Sequence, residues 1–84
     1  MSYRIDLTRR AARALDAIDK PHRRRVMAVI DRLTDDPRPP RSVKLPGREN
    51  AWRVRAGDYR VVYEMHDDRL LVLVIEVGNL SGVP

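Results

Sequence analysis

Between Ala51 and Met65 the sequence reads Ala-Trp-Arg-Val-Arg-Ala-Gly-Asp-Tyr-Arg-Val-Val-Tyr-Glu-Met, and no other stretch restricts the fold so tightly. Trp52 and Val54 alternate with Arg53 and Arg55. Beyond Gly57-Asp58, Tyr59, Val61, Tyr63 and Met65 alternate with Arg60, Val62 and Glu64. A period of two predicts two strands, and glycine supplies the positive φ of a tight hairpin loop. With Gly57 and Asp58 as that loop, Ala56 pairs with Tyr59, Arg55 faces Arg60, Val54 faces Val61 and Trp52 faces Tyr63. One face is then aromatic and aliphatic, and the other carries Arg53, Arg55 and Arg60. A loop one residue longer or shorter would turn the arginines onto the aromatic face, so this register is selected.

Arginine directly opposite arginine weakens a sheet that has no partner. A wet face accounts for each arginine taken singly. Three converging on one hairpin gain most from an anion lying against them. The rest of the charge points the same way. The formal net charge is +5, but residues 1–60 carry 16 basic against 8 acidic side chains, and residues 61–84 carry one against four. Seven basic residues fall within 38–60, opposed only by Glu49 and Asp58. Such focusing favours an anionic partner, with nucleic acid foremost. Arginine outnumbers lysine fifteen to two, a bias that a GC-rich genome produces unaided, so the position of the charge informs more than the choice of cation.

The 84 residues suffice for one domain, and with no cysteine the core must hold without disulfides. Tyr3 to Leu7 alternates as a short strand, and Thr8 is placed to cap a helix. Ala11, Ala14, Leu15 and Ile18 follow at the spacing of one helical face. Asp19-Lys20-Pro21 breaks that helix and starts a second, whose apolar stripe is Val26, Val29, Ile30 and Leu33. Two such short helices form a hairpin that must bury its stripes against a sheet. Arg23-Arg24-Arg25 fans around the second helix, and its ordinary meaning is a solvated face. Four of the six prolines (Pro37, Pro39, Pro40, Pro46) stiffen the segment that follows. That segment is expected to present Arg41, Lys44 and Arg48 beside the arginine face.

His66-Asp67-Asp68-Arg69 reads as a turn, and Leu70 to Val77 as a strand covered on both sides. Pairing Met65 with Leu70 leaves Val62, Leu71, Leu73 and Ile75 on the arginine side, where the two helices cannot reach. A partner is expected to cover them. The order β-α-α-β-β-β is an α+β fold, with a two-helix hairpin packed on one face of a largely antiparallel four-stranded sheet. No apolar run resembles a signal peptide or spans a bilayer, so a cytoplasmic protein without membrane contact is expected.

The sequence offers no glycine-rich phosphate loop, no paired metal-ligating histidines and no serine nucleophile motif; no metal or cofactor is expected. Arginines suffice for one reaction. RNA carries its own nucleophile in the 2′-hydroxyl, and a protein cleaves it by aligning that group and neutralising the phosphorane-like transition state. Guanidinium forks match phosphate oxygens but are poor bases, so such an enzyme is expected to be slow or to depend on a larger assembly that orients its substrate.

The chain resembles the RelE/ParE superfamily of bacterial type II toxins, the RelE branch most. The resemblance runs from Tyr3 to Gly78. It is carried by Ala11-Ala12-Arg13-Ala14-Leu15, Asp36-Pro37-Arg38, Lys44-Leu45 with Gly47-Arg48, and above all Trp52-Arg53-Val54-Arg55-Ala56-Gly57-Asp58-Tyr59-Arg60-Val61-Val62-Tyr63. It implies a RelE-like fold and a ribosome-dependent endoribonuclease that cuts mRNA in the A site without a metal. Arg60 would stabilise the phosphate, while Arg53 and Arg55 orient RNA and Arg41, Lys44 and Arg48 extend its binding surface. A cognate antitoxin would cover Val62, Leu71, Leu73 and Ile75, and operator DNA would be met only through that antitoxin. The chain departs from the RelE pattern after Val77-Gly78. There RelE-like chains continue with histidine, arginine and often tyrosine, but here the tail is Asn79-Leu80-Ser81-Gly82-Val83-Pro84. That tail keeps two other readings in view: an antitoxin-binding co-repressor that has lost cleavage, and a ParE-like inhibitor of DNA gyrase.

Overall fold

Thr8 starts the first helix in the way its position in the sequence implies. Its backbone is extended, and its hydroxyl accepts from the Ala11 amide at 3.1 Å, satisfying one of the donors a helix leaves unpaired at its start. The computed structural model describes residues 2–80. Strand β1 (Arg4–Leu7) leads into α1 (Arg9–Asp16) and α2 (Lys20–Arg32). After the proline-rich segment come β2 (Val43–Lys44), β3 (Ala51–Ala56), β4 (Tyr59–His66) and β5 (Leu71–Asn79), with a single 3₁₀ turn at Asp67–Arg69 before β5.

The strands form one sheet in the order β1-β5-β4-β3-β2. Every neighbouring pair is antiparallel except β1 with β5. The α+β class and the helix hairpin on one face are as expected; the sheet has five strands where the sequence suggested four. The added strand is the two-residue β2, which pairs Val43 with Arg53 and Lys44 with Trp52. Prolines at 39, 40 and 46 confine the pairing to this length, because each lacks the amide a ladder requires.

The helices lay Ala11, Leu15, Val26, Ile30 and Leu33 on Val54, Val61, Tyr63, Met65, Val72, Val74 and Val77 of the sheet. Tyr63 is fully buried, and its hydroxyl donates to the Pro37 carbonyl at 2.7 Å, tying the proline segment to the core. Removal from water pushes its phenol up to about 12.

The β3–β4 register is the one the alternation selects: Ala56 with Tyr59, Arg55 with Arg60, Val54 with Val61 and Trp52 with Tyr63. Gly57 has φ +62 and Asp58 does not share the left-handed region, the pattern of a type II′ turn. The β4–β5 register differs from expectation. Met65 pairs with Val72 instead of Leu70, because Leu70 is spent on the turn with φ +50. A bulge then lies between Val62 and Tyr63, where Tyr63 pairs with Val74 and Val62 with Glu76, leaving Ile75 as the extra residue. The bulge reverses the alternation beyond it, which is why Val77 joins the core and β5 runs on to Asn79.

Candidate nucleic-acid interface

The same register builds the site. Arg53, Arg55 and Arg60 fall on the face away from the helices, with Arg55 and Arg60 directly opposed. On the far side of Arg60 the β5 partner is Gly78, and the Arg60 Nε is buried between its neighbours. This open face continues along β4 through Val62, Glu64 and His66, and along β5 through Leu71 and Leu73. Among the described residues no three His, Asp or Glu side chains converge in the manner of metal ligands.

The outlying basic residues divide. Arg48 reaches the open face, where its Nη2 lies 3.7 Å from Glu64 Oε2. Lys44 does not: its register partner is Trp52, a residue of the helix-covered side, and its Nζ donates to the Glu49 carbonyl at 2.9 Å. The strand alternation within β2 places Val43, not Lys44, beside Arg53. Arg41 lies off the sheet face altogether, in a groove at the free edge of β3.

The apolar patch is also smaller than expected. Val62 and Leu71 are 6% and 7% exposed in this chain alone. Val62 sits between Arg53 and Glu76 in the ladder, and Leu71 between Arg4 and His66, long neighbours whose apolar stems shield what lies between them. Leu73 is half-buried, and Ile75 sits at the bulge, where its carbonyl accepts from the Thr8 hydroxyl at 3.4 Å. The large hydrophobics exposed among the described residues are Met27 and Val43.

Sequence reasoning missed one titratable pair. His66 is the last residue of β4, not part of a turn, and its Nε2 lies 3.1 Å from Glu64 Oε1. The signal was their spacing of two on one strand face. It also read the run Arg23-Arg24-Arg25 as simply solvated. Arg23 Nη1 instead donates to the Asp16 carbonyl at 3.4 Å, on the last residue of α1, where a cation complements the helix dipole. Arg24 flanks Lys20 and Pro21, and Arg25 turns toward the hairpin loop. His22 packs its ring against Tyr59, with centroids 5.7 Å apart.

Comparison with known proteins agrees with this architecture. The family model described as the ParE toxin of type II toxin-antitoxin system, parDE, matches residues 5–82. A RelE-like toxin protein of Escherichia coli is 28% identical over 81 residues, which span 94% of this chain and 84% of that protein. In the archaeal RelE-RelB complex from Pyrococcus horikoshii OT3, a 27% identical chain superposes with a TM-score of 0.85, covering 99% of this chain and 100% of that one. The intact E. coli RelBE toxin-antitoxin complex gives 26% identity and a TM-score of 0.81 over 93% of this chain and 96% of its counterpart. A face of opposed arginines, on a two-helix and five-strand frame that the family model matches over residues 5–82, thus belongs to a RelE-like member of the RelE/ParE superfamily of type II toxins.

Proposed function

We propose that this toxin is a ribosome-dependent, metal-independent endoribonuclease that cuts mRNA and is neutralised by a cognate antitoxin. The observation that carries the reading is the direct opposition of Arg55 and Arg60, with Arg53 on the same face. Such an arrangement disfavours the free sheet and favours a phosphate lying on it. The 2′-oxygen of the substrate attacks the adjacent phosphorus, and the bond from phosphorus to the 5′-oxygen breaks. The products are a 2′,3′-cyclic phosphate and a 5′-hydroxyl, the 2′-hydroxyl proton passing to solvent and the 5′-oxygen taking one from it. Arg60 neutralises the charge that builds on the phosphoryl oxygens. Arg53 and Arg55 hold the flanking backbone. Arginine is too weak an acid to act as a base at neutral pH, so alignment of the strand is left to the ribosome.

The antitoxin assignment follows the two RelE relatives whose structures contain RelB. Leu73, Ile75 and the flanking Val62 and Leu71 form its apolar footing, and Glu64 and Glu76 interrupt the basic face there. The test is cleavage of A-site mRNA on programmed ribosomes by the purified protein. Arg53→Ala/Arg60→Ala is expected to lower the rate by about 10²–10³-fold without lowering the melting temperature. Intact mRNA, at concentrations where an active relative cuts it, overturns the proposal.

The tail motivates a second reading, an antitoxin-binding relative without cleavage. The sequence after Arg69 contains no basic residue; Ser81 to Pro84 of that tail lie outside the described residues. Replacing residues 79–84 with a basic, tyrosine-bearing segment creates toxicity if this reading holds and changes nothing if it does not. A supercoiling assay run beside these tests covers gyrase inhibition, the activity associated with the ParE branch.

A further inference from the structure

Beside the open face lies a groove that the proposed chemistry does not use. Strand β2 pairs only with Trp52 and Arg53, so the edge of β3 beyond them has no strand neighbour. A groove of about 530 Å³ runs along that edge, between Val54–Gly57, the α2 side chains Arg25, Val29 and Arg32, and the loop residues Pro39, Pro40 and Arg41. Four of its lining residues are arginine, counting Arg55, and none is acidic.

Sequence and geometry both account for this convergence. Arg25, Val29 and Arg32 stand at i, i+4 and i+7, so α2 presents them as one stripe, with guanidiniums at both ends of an apolar floor. Gly57 brings Arg25 in. A Cβ built on Gly57 would lie 3.0 Å from Arg25 Cδ and Nη1, so the arginine lies close across the hairpin loop and a side chain at 57 would press it aside. Among the described residues, Arg25, Arg32, Arg41 and Arg55 take part in no ion pair or side-chain hydrogen bond. All four are exposed. Elsewhere Arg4, Arg38 and Arg48 each face a carboxylate.

We propose that this groove binds the sugar-phosphate backbone of single-stranded RNA, continuing the track that begins at Arg53, Arg55 and Arg60. The inference rests on reading the open face as an RNA site, and Arg55 is the joint. It faces Arg60 across the ladder and also lines the groove. A strand leaving the open face therefore passes round the β3 edge without leaving guanidinium contact. Phosphates take the arginine forks, and ribose and base faces rest on Val29, Pro39 and Pro40. An acidic peptide could satisfy the groove by itself. A polynucleotide, with one charge on every residue, matches the groove and the open face together.

The experiment measures binding of a short fluorescein-labelled single-stranded RNA bearing 2′-O-methyl groups, which cannot be cut, by anisotropy across a salt series. Three full-length proteins are compared: wild type, Arg25→Ala/Arg32→Ala/Arg41→Ala, and the charge-matched Arg9→Ala/Arg10→Ala/Arg13→Ala on exposed positions of α1. Melting curves establish that all three fold. The groove variant is expected to bind about tenfold or more weakly, with the salt slope reduced by about two, as three lost phosphate contacts require. The α1 variant is expected to stay near wild type. Equal losses in both variants, no loss in either, or no RNA binding by the wild type overturn the proposal. So does a groove variant that loses a labelled polyglutamate peptide but keeps RNA. Because the RNA is uncleavable, groove-dependent binding by a protein that leaves mRNA intact overturns the nuclease reading alone. Cleavage by a protein whose binding ignores the groove overturns this inference alone.

Discussion

At one end of β4, Arg38 donates to Asp67 at 2.8 Å, Tyr3 donates to the other carboxylate oxygen at 2.7 Å, and the Arg38 guanidinium lies 5.6 Å from the centre of the Trp52 ring. At the other end, Arg55 lies directly opposite Arg60 in the ladder and is itself exposed. Both ends are wet and both rely on arginine. The first is complete within the chain and fastens the proline segment and the N-terminal strand to the β4–β5 turn. The second leaves Arg55 exposed, with no ion pair or side-chain hydrogen bond among the described residues. One end commits its arginine to the fold; the other keeps an arginine in reserve for an anion.

The contrast breaks if the corner proves to be functional or the arginine face structural. The largest effect on stability is expected just beneath the corner. Tyr63→Phe leaves the buried Pro37 carbonyl without its donor and is expected to cost about 1–3 kcal/mol in urea unfolding. With Tyr63 present, its raised pKa means that stability is full below pH 10 and falls as pH climbs toward 12, since the unfolded chain ionises first. The phenylalanine variant is expected to lose that part of the alkaline slope.

A smaller pair of effects has opposite signs. Arg38→Ala is expected to destabilise the fold by about 1 kcal/mol or less, as befits an exposed pair, and to leave mRNA cleavage intact. Arg55→Thr removes one of two opposed cations and is expected to stabilise the fold by about 0.2–1 kcal/mol while weakening RNA binding. Melting temperatures beside binding curves decide both; a destabilised Arg55→Thr protein would erase the distinction between the two ends. The smallest effect is a pH dependence. The Tyr3 hydroxyl, and then Arg38, hold the Asp67 carboxyl below its usual range. The corner therefore contributes fully above about pH 4 and its contribution is lost as pH falls through the lowered value. Asp67→Asn is expected to flatten the acid limb of the melting profile slightly.

The hairpin register was readable because Arg53, Arg55 and Arg60 mark one face at every second residue. Leu70 to Ile75 carries no such mark. A wholly apolar run looks the same in any register, so the two-residue offset of β5 and the bulge at Ile75 left no trace in it. The placement of Lys44 failed for a related reason: a strand of two residues is too short to show alternation, and only its pairing with Trp52 decides its face. The groove was half legible. The i, i+4, i+7 spacing of Arg25, Val29 and Arg32 was present in the sequence, but the run Arg23-Arg24-Arg25 hid it. Which of three consecutive cations turns inward depends on how the helix is rotated against the sheet.

The strand order has a consequence in time. Strand β5 lies between β1 and β4, yet it is the last of the strands to be made. Until it leaves the ribosome, β1 has no neighbour, the α1 stripe lacks the surface it packs on, and Arg60 lacks the strand that flanks it with Gly78. Pairing the first strand with the last also defers folding to the slowest, longest-range contact. A growing chain thus carries the paired arginines of the β3–β4 hairpin before the strand that joins them to β1 and to the α1 stripe has been made.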